Sequence, residues 1–129
     1  MSQHDDLEYQ LDTLALRTGH TRSFEGEHGE PIFLTSSFVY ANAAEAAAKF
    51  SGQEPGNIYS RFTNPTVAMF EKRLAAIEGA ERAVATSSGM AAIMAVAMSF
   101  LKQGDHVICS RAVFGSTVAM FEKYVAKFG

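Results

Sequence analysis

Three short stretches of the chain gather residue types that could do chemistry, and each points to an anion or to a flat ring. The first is the run ATSSGMAA from Ala85 to Ala92, where a short β-like segment gives way to a helix-forming one. A helix N-terminus offers unsatisfied backbone N–H groups and the positive end of the helix dipole, so it can hold an anion. Gly89 would let the backbone come close to that ligand. A tight structural turn with no ligand accounts for the same residues, and neither the G-x-x-x-x-G-K-[ST] phosphate loop nor G-x-G-x-x-G is present.

The second stretch is Tyr59, Ser60 and Arg61, in a polar loop just before Asn64 and Pro65. A guanidinium can grip a phosphate through two parallel hydrogen bonds, and a phenol can add a third. The plain alternative is a surface Arg beside a half-buried Tyr. The third is Phe114 and Gly115, which follow the apolar run from His106 to Cys109. Ligands of open α/β sheets sit at the carboxyl ends of strands, so an aromatic there either covers a flat ring or belongs to the core.

Other chemistries find no support. His4, His20, His28 and His106 show no metal-ligand spacing with one another or with Cys109, so no metal site is expected. There is no G-x-S-x-G elbow, and Ser87 and Ser88 have no evident base, so a hydrolase triad is not expected either.

The elements that must position these residues follow from pattern. Leu7, Leu11, Leu14 and Leu16 give a short amphipathic helix ending near Arg17, after which 18–29 reads as an extended glycine-bearing arm that needs a surface to lie on. Pro31 to Tyr40 reads as extended, and Asn42 as the cap of a helix from Ala43 to Phe50 with Gly52 ending it. Asn64 as N-cap, Pro65 at the first helical position, and Val67, Phe70, Leu74 and Ile77 along one face predict a second helix that Gly79 stops. A strand over Ala83 to Thr86, an all-round apolar helix from Met90 to about Leu101 ended by Gly104, a strand over His106 to Cys109, and a helix opened by Ser116 or Thr117 and reaching Phe128 complete the reading. Strand, helix, strand, helix at this spacing predicts an α/β fold with parallel strands, of which only two are present. TVAMFEK occurs at Thr66 to Lys72 and at Thr117 to Lys123; the flanking residues differ, so the two copies read as similar amphipathic helices and not as a solenoid repeat.

Bulk properties narrow the class further. With 129 residues, 47% apolar and 19% charged, the chain suits one globular domain with a core. The net charge is −3 and the eleven Lys and Arg are scattered, which leaves no footprint for nucleic acid. The single cysteine, Cys109, cannot form an internal disulfide and reads as a core filler in a reducing compartment. The start MSQHDDLEYQ resembles neither a secretory signal nor a presequence, so the expected location is the cytoplasm, and no apolar run reaches the ~20 residues of a membrane span.

YSRFTNPT from Tyr59 to Thr66 and ATSSGMAAI from Ala85 to Ile93 resemble the trans-sulfuration family of pyridoxal-phosphate enzymes, which includes cystathionine synthases and lyases, methionine lyase and homoserine-ester sulfhydrylases. The likeness extends to LDTLALRTGHTR, EPIFLTSSFVY and GDHVICSRAVFGST, so it covers nearly the whole chain. It implies an amino-terminal arm with short helices over 1–58, and over 59–129 the start of the large α/β domain of a fold-type I, aspartate aminotransferase-like enzyme. The implied cofactor is pyridoxal 5'-phosphate. The resemblance places Tyr59 and Arg61 at the phosphate of a neighbouring subunit's cofactor, the backbone of Gly89 and Met90 at the phosphate of the subunit's own, and Phe114 against the pyridine ring. It also implies a homo-oligomer, generally a tetramer built from two dimers, with the arm lying along a partner subunit.

Many members carry tyrosine at the position of Phe114, and phenylalanine can stack but cannot exchange a proton. With SRAVFGST and EPIFLTSSFVY around it, this feature is most similar to sulfhydrylases acting on O-succinylhomoserine, with an O-acyl-homoserine and sulfide as the implied small-molecule substrates. A cystathionine γ-synthase or γ-lyase is the alternative within the family, and a non-catalytic binding or assembly module the alternative outside it. The family's Schiff-base lysine and the acidic partner of the ring nitrogen are expected beyond Gly129. Lys49, Lys72, Lys102, Lys123 and Lys127 lie outside the lysine motif, so no catalytic residue is assigned within the chain.

Overall fold

The computed structural model describes residues 9–129, and Leu7, the first apolar position of the expected opening helix, lies outside them. The described chain forms two compact units, one ending at Val84 and one beginning at Ala85. Each has a small core of its own.

In the first unit, helix α1 (Leu11–Arg17) packs on α3 (Pro65–Glu78), and α2 (Ala43–Phe50) lies between them in sequence. The caps form as the sequence predicts. Asn42 accepts a hydrogen bond from the Glu45 N–H at 2.9 Å, and Glu45 reaches back to the Ala41 N–H at 2.6 Å, close to a capping box. Asn64 accepts from the Thr66 N–H at 2.9 Å with Pro65 following it, and Gly79 closes α3 in the left-handed conformation at φ 64°.

The arm after α1 finds its surface on the same chain. Arg73 of α3 donates to the Thr18 carbonyl at 3.0 Å and pairs with Glu30, which holds the Glu30 carboxyl below its ordinary pKa. Between these anchors the arm is not extended but closes into a turn. Glu27 accepts from the Ser23 N–H at 2.7 Å and from the Ser23 hydroxyl at 2.6 Å. This corrects the expectation of a segment without local order: short polar side chains bond to nearby backbone and replace a regular ladder.

The second unit contains α4 (Gly89–Phe100), α5 (Gly115–Lys123) and a 3-10 turn (Val125–Phe128). Helix α4 packs on α5, and α5 on the 3-10 turn. Ser88 caps α4 by accepting from the Ala91 N–H at 3.2 Å. Helix α4 ends at Phe100 with Leu101 as C-cap, before Gly104, which instead shapes the following turn at φ 90°. Phe114, not Ser116 or Thr117, occupies the N-cap of α5 and gives no side-chain cap; the helix stops at Lys123, short of Phe128. The repeated TVAMFEK copies lie on α3 and α5, with Thr66 and Met69 half-buried in one and Thr117 and Met120 buried in the other.

Neither expected strand forms. Residues 83–86 and 106–109 are not in a β-ladder, and among the described residues the sole bridge is an isolated antiparallel one between Ser37 and Tyr59. The reason is physical: a parallel strand needs hydrogen-bonded neighbours and a cover on each face, which two short segments cannot supply. Ile108 therefore stands 93% exposed, and Cys109 is exposed instead of filling a core. The same shortage explains α4, whose Val96, Met98 and Phe100 remain exposed although its composition demands cover.

Candidate functional site

The sequence-derived site residues fall into two groups, one in each unit. Tyr59 and Arg61 belong to the first. The loop that carries them is held from beneath: Ser60 N–H donates to the Ser36 carbonyl at 2.9 Å, and the Ser60 hydroxyl donates to the Thr35 carbonyl. Phe62 N–H and Thr63 N–H both donate to the Tyr59 carbonyl, at 2.8 and 2.9 Å, so the chain turns sharply through the motif. Ser60 is half-buried beneath the turn, while Tyr59 and Arg61 on either side of it are exposed. The Arg61 guanidinium carbon lies 5.7 Å from the Tyr59 ring centre and 4.7 Å from that of Phe62. Among the described residues it makes no ion pair. An outward cation flanked by a phenol, free of internal carboxylates, has the chemistry of an anion clamp.

Gly89, Met90 and Phe114 belong to the second unit. Gly89 is the first residue of α4. Among the described residues, the N–H groups of Gly89 and Met90 have no acceptor, while that of Ala91 is taken by Ser88. Gly89 does not adopt positive φ, and a Cβ built on it would meet nothing within 4 Å. Among the described residues, neither a close contact nor the backbone conformation requires glycine here.

Phe114 caps α5 with its ring 76% exposed, at the edge of an open depression of about 550 Å³ lined also by Ile93, Val107, Ile108 and Thr117. Thr117 ties this residue to the α4 terminus. Its N–H donates to the Phe114 carbonyl at 2.8 Å and its hydroxyl lies 4.0 Å from the Met90 sulfur. Sequence reading took Thr117 for a cap; it is 5% exposed and sits under both site residues. Ser60 was equally missed as an anchor, because its partner Thr35 lies 25 positions away.

Comparison with known proteins gives this arrangement a context. The chain superposes with TM-score 0.86 on a crystal structure from Campylobacter jejuni described as an O-acetylhomoserine (thiol)-lyase with N'-pyridoxyl-lysine-5'-monophosphate, at 33% identity over 94% of this chain and 30% of that one. It superposes with TM-score 0.84 on metB from Corynebacterium glutamicum, at 28% identity over 95% and 30%. The fold is thus the amino-terminal arm and first part of the large domain of a fold-type I pyridoxal-phosphate enzyme. Residues 12–129 match the family described as Cys/Met metabolism PLP-dependent enzyme, and the chain belongs to that family, whose cofactor is pyridoxal phosphate. It is 62% identical to O-succinylhomoserine sulfhydrylase of Pseudomonas aeruginosa over 92% of this chain and 30% of the relative, and 39% identical to L-methionine gamma-lyase of Fusobacterium nucleatum over 94% and 31%. The chain therefore spans under a third of the length of the curated relatives it matches.

Proposed function

We propose that this chain is the amino-terminal part of a cytoplasmic pyridoxal-phosphate enzyme that replaces the succinate of O-succinylhomoserine with sulfide, giving homocysteine and succinate in methionine biosynthesis. The observation that carries the reaction is the 62% identity to an O-succinylhomoserine sulfhydrylase, against 39% to a methionine gamma-lyase. Phe114 supports the same choice, since a phenyl ring has no hydroxyl through which to move a proton.

In this reading, residues up to 58 form the arm and those from 59 open the cofactor domain of a homo-oligomer. The N–H groups of Gly89 and Met90 bind the phosphate of the subunit's own cofactor at the α4 terminus, where the helix dipole adds to the hydrogen bonds. Phe114 lies over one face of the ring and excludes water from it. Tyr59 and Arg61 reach the phosphate of the neighbouring subunit's cofactor, so the site is complete only in the oligomer. When bound, pyridoxal phosphate supplies an electron sink for the substrate carbons next to the amino group. The Schiff-base lysine comes from outside this chain, which by itself is inactive.

Product analysis with the full-length enzyme tests the reaction. Given O-succinylhomoserine with equal sulfide and cysteine, homocysteine is the expected main product. A predominance of cystathionine would overturn the assignment in favour of a cystathionine synthase, and turnover of methionine to methanethiol would favour a lyase.

A further inference from the structure

The loop bearing Tyr59 and Arg61 is fixed by a residue outside it. Asn64 is 8% exposed, and its amide is fully committed: Nδ2 donates to the Phe33 carbonyl at 3.0 Å and to the Ser60 hydroxyl at 3.1 Å, while Oδ1 accepts from the Thr66 N–H at 2.9 Å. One side chain thereby joins three pieces of backbone: the extended segment through Phe33, the Tyr59 to Arg61 loop and the first turn of α3. The cap needs the oxygen toward Thr66, which leaves the two N–H donors no other direction. Ser60 completes the link by donating a hydrogen bond to the Thr35 carbonyl, so its hydroxyl is donor and acceptor at once.

Capping alone does not explain this choice of residue. Asp, Ser and Thr cap helices about as well as Asn, but none of them offers two further N–H donors. The amide's two N–H donors serve the loop, and Tyr59 and Arg61 are exposed on the loop so held.

We propose that Ser60 and Asn64 are positioning residues that hold Tyr59 and Arg61 in the outward geometry required to bind a neighbouring subunit's cofactor phosphate; the inference rests on the placement of Tyr59 and Arg61 given above. Asn64→Asp separates the two duties of Asn64. It keeps the cap, with a charge that suits a helix N-terminus, but sets a carboxylate oxygen against the Phe33 carbonyl in place of a donor. Ser60→Ala removes the link from the other side, and Ser60→Thr restores a hydroxyl.

The test is cofactor affinity of the full-length apoenzyme, measured by equilibrium dialysis with pyridoxal phosphate and, separately, with pyridoxal, which lacks the phosphate. Arg61→Ala serves as the reference. For Arg61→Ala, Asn64→Asp and Ser60→Ala the Kd for pyridoxal phosphate is expected to rise roughly ten- to a hundredfold, the loss of a charge-assisted contact. The Kd for pyridoxal should change by less than about twofold, and Ser60→Thr should recover most of the loss. Retained pyridoxal-phosphate affinity in Asn64→Asp and Ser60→Ala, with loss in Arg61→Ala, would overturn the positioning role alone. Equal weakening toward both ligands would overturn it as well, since that is the mark of a general structural defect. Undiminished affinity in Arg61→Ala would overturn the placement of Arg61 and this inference with it.

Discussion

Gly19 lies so close to Met69 that a Cβ on it would stand 2.8 Å from the Met69 carbonyl oxygen, and its φ of +83° is one that side-chain-bearing residues rarely adopt. The arm thus crosses α3 at a point where only glycine fits. Gly26, in the same arm, also has positive φ (+67°) but has nothing within 4 Å of where its Cβ would be. Gly26→Ala should therefore lose only the backbone preference, about 1 kcal/mol. Gly19→Ala should lose that and force the arm off α3, a total of about 2–4 kcal/mol. Urea unfolding of the two variants checks the order, and equal losses would contradict the close approach.

Gly89→Ala separates folding from binding. Because a Cβ there meets no protein atom and φ is not positive, alanine should leave the fold intact and stabilise the start of α4 by roughly 0.4–1 kcal/mol. The same methyl would stand where an anion approaches the Gly89 and Met90 N–H groups, so affinity for pyridoxal phosphate should fall while thermal stability of the apoenzyme rises. A parallel fall of both would show that glycine serves the fold.

The turn in the arm should respond to acid in a defined window. Hydrogen bonds from the Ser23 hydroxyl, then from the Ser23 N–H, lower the Glu27 carboxyl pKa to about 2. An unfolded glutamate titrates near 4.3, so the folded pKa is the lower of the two and the carboxylate's contribution is complete above about pH 4.3. It is then lost as pH falls toward 2. NMR titration of the folded protein should show the Ser23 amide nearly unchanged above about pH 4 and moving as pH falls toward 2, with Glu27→Gln giving the low-pH position throughout. A Glu27 midpoint at the ordinary carboxylate value would contradict the geometry.

Phe114→Tyr bears on reaction choice. The ring is largely exposed at the N-cap of α5, so a hydroxyl should be accommodated without loss of stability beyond about 0.5 kcal/mol. In the full-length enzyme the variant should raise elimination relative to replacement, read as keto acid formed per homocysteine. An unchanged ratio would remove Phe114 from the determinants of the reaction.

These residues were legible to different degrees. Helices α2 and α3 could be read because their signals are local: Asn42, Asn64 with Pro65, and Gly79 all bond or turn within a few positions, whereas the Ser88 cap of α4 was read only as part of a turn. The strands at Ala83 and His106 could not be read correctly, since apolar β-branched runs record a preference while a ladder depends on partners elsewhere. The end of α5 was misread for a related reason, because a continuing apolar pattern does not distinguish an α-helix from the 3-10 turn that replaces it at Val125. Tyr59, Arg61, Gly89 and Phe114 stood out by type and position. Their supports did not: Asn64 reaches Phe33 and Thr117 reaches Met90, 31 and 27 positions away, and no periodicity encodes such pairs.

The central claim, that Tyr59 and Arg61 serve a neighbouring subunit's cofactor while Gly89 and Met90 serve their own, is tested most directly by mixing two full-length variants at a pyridoxal phosphate concentration that fills wild-type sites but leaves each variant's weakened sites empty. Arg61→Ala subunits and Gly89→Val subunits are unfolded together, refolded and assayed. A hybrid dimer has one site in which an intact Gly89 meets an intact Arg61 from the other subunit, so random pairing should restore roughly a quarter of wild-type activity. If Arg61 acted within its own subunit, every site in the hybrid would carry a defect. Recovery near a quarter is the predicted result, and no recovery from properly reassembled hybrids would contradict the account.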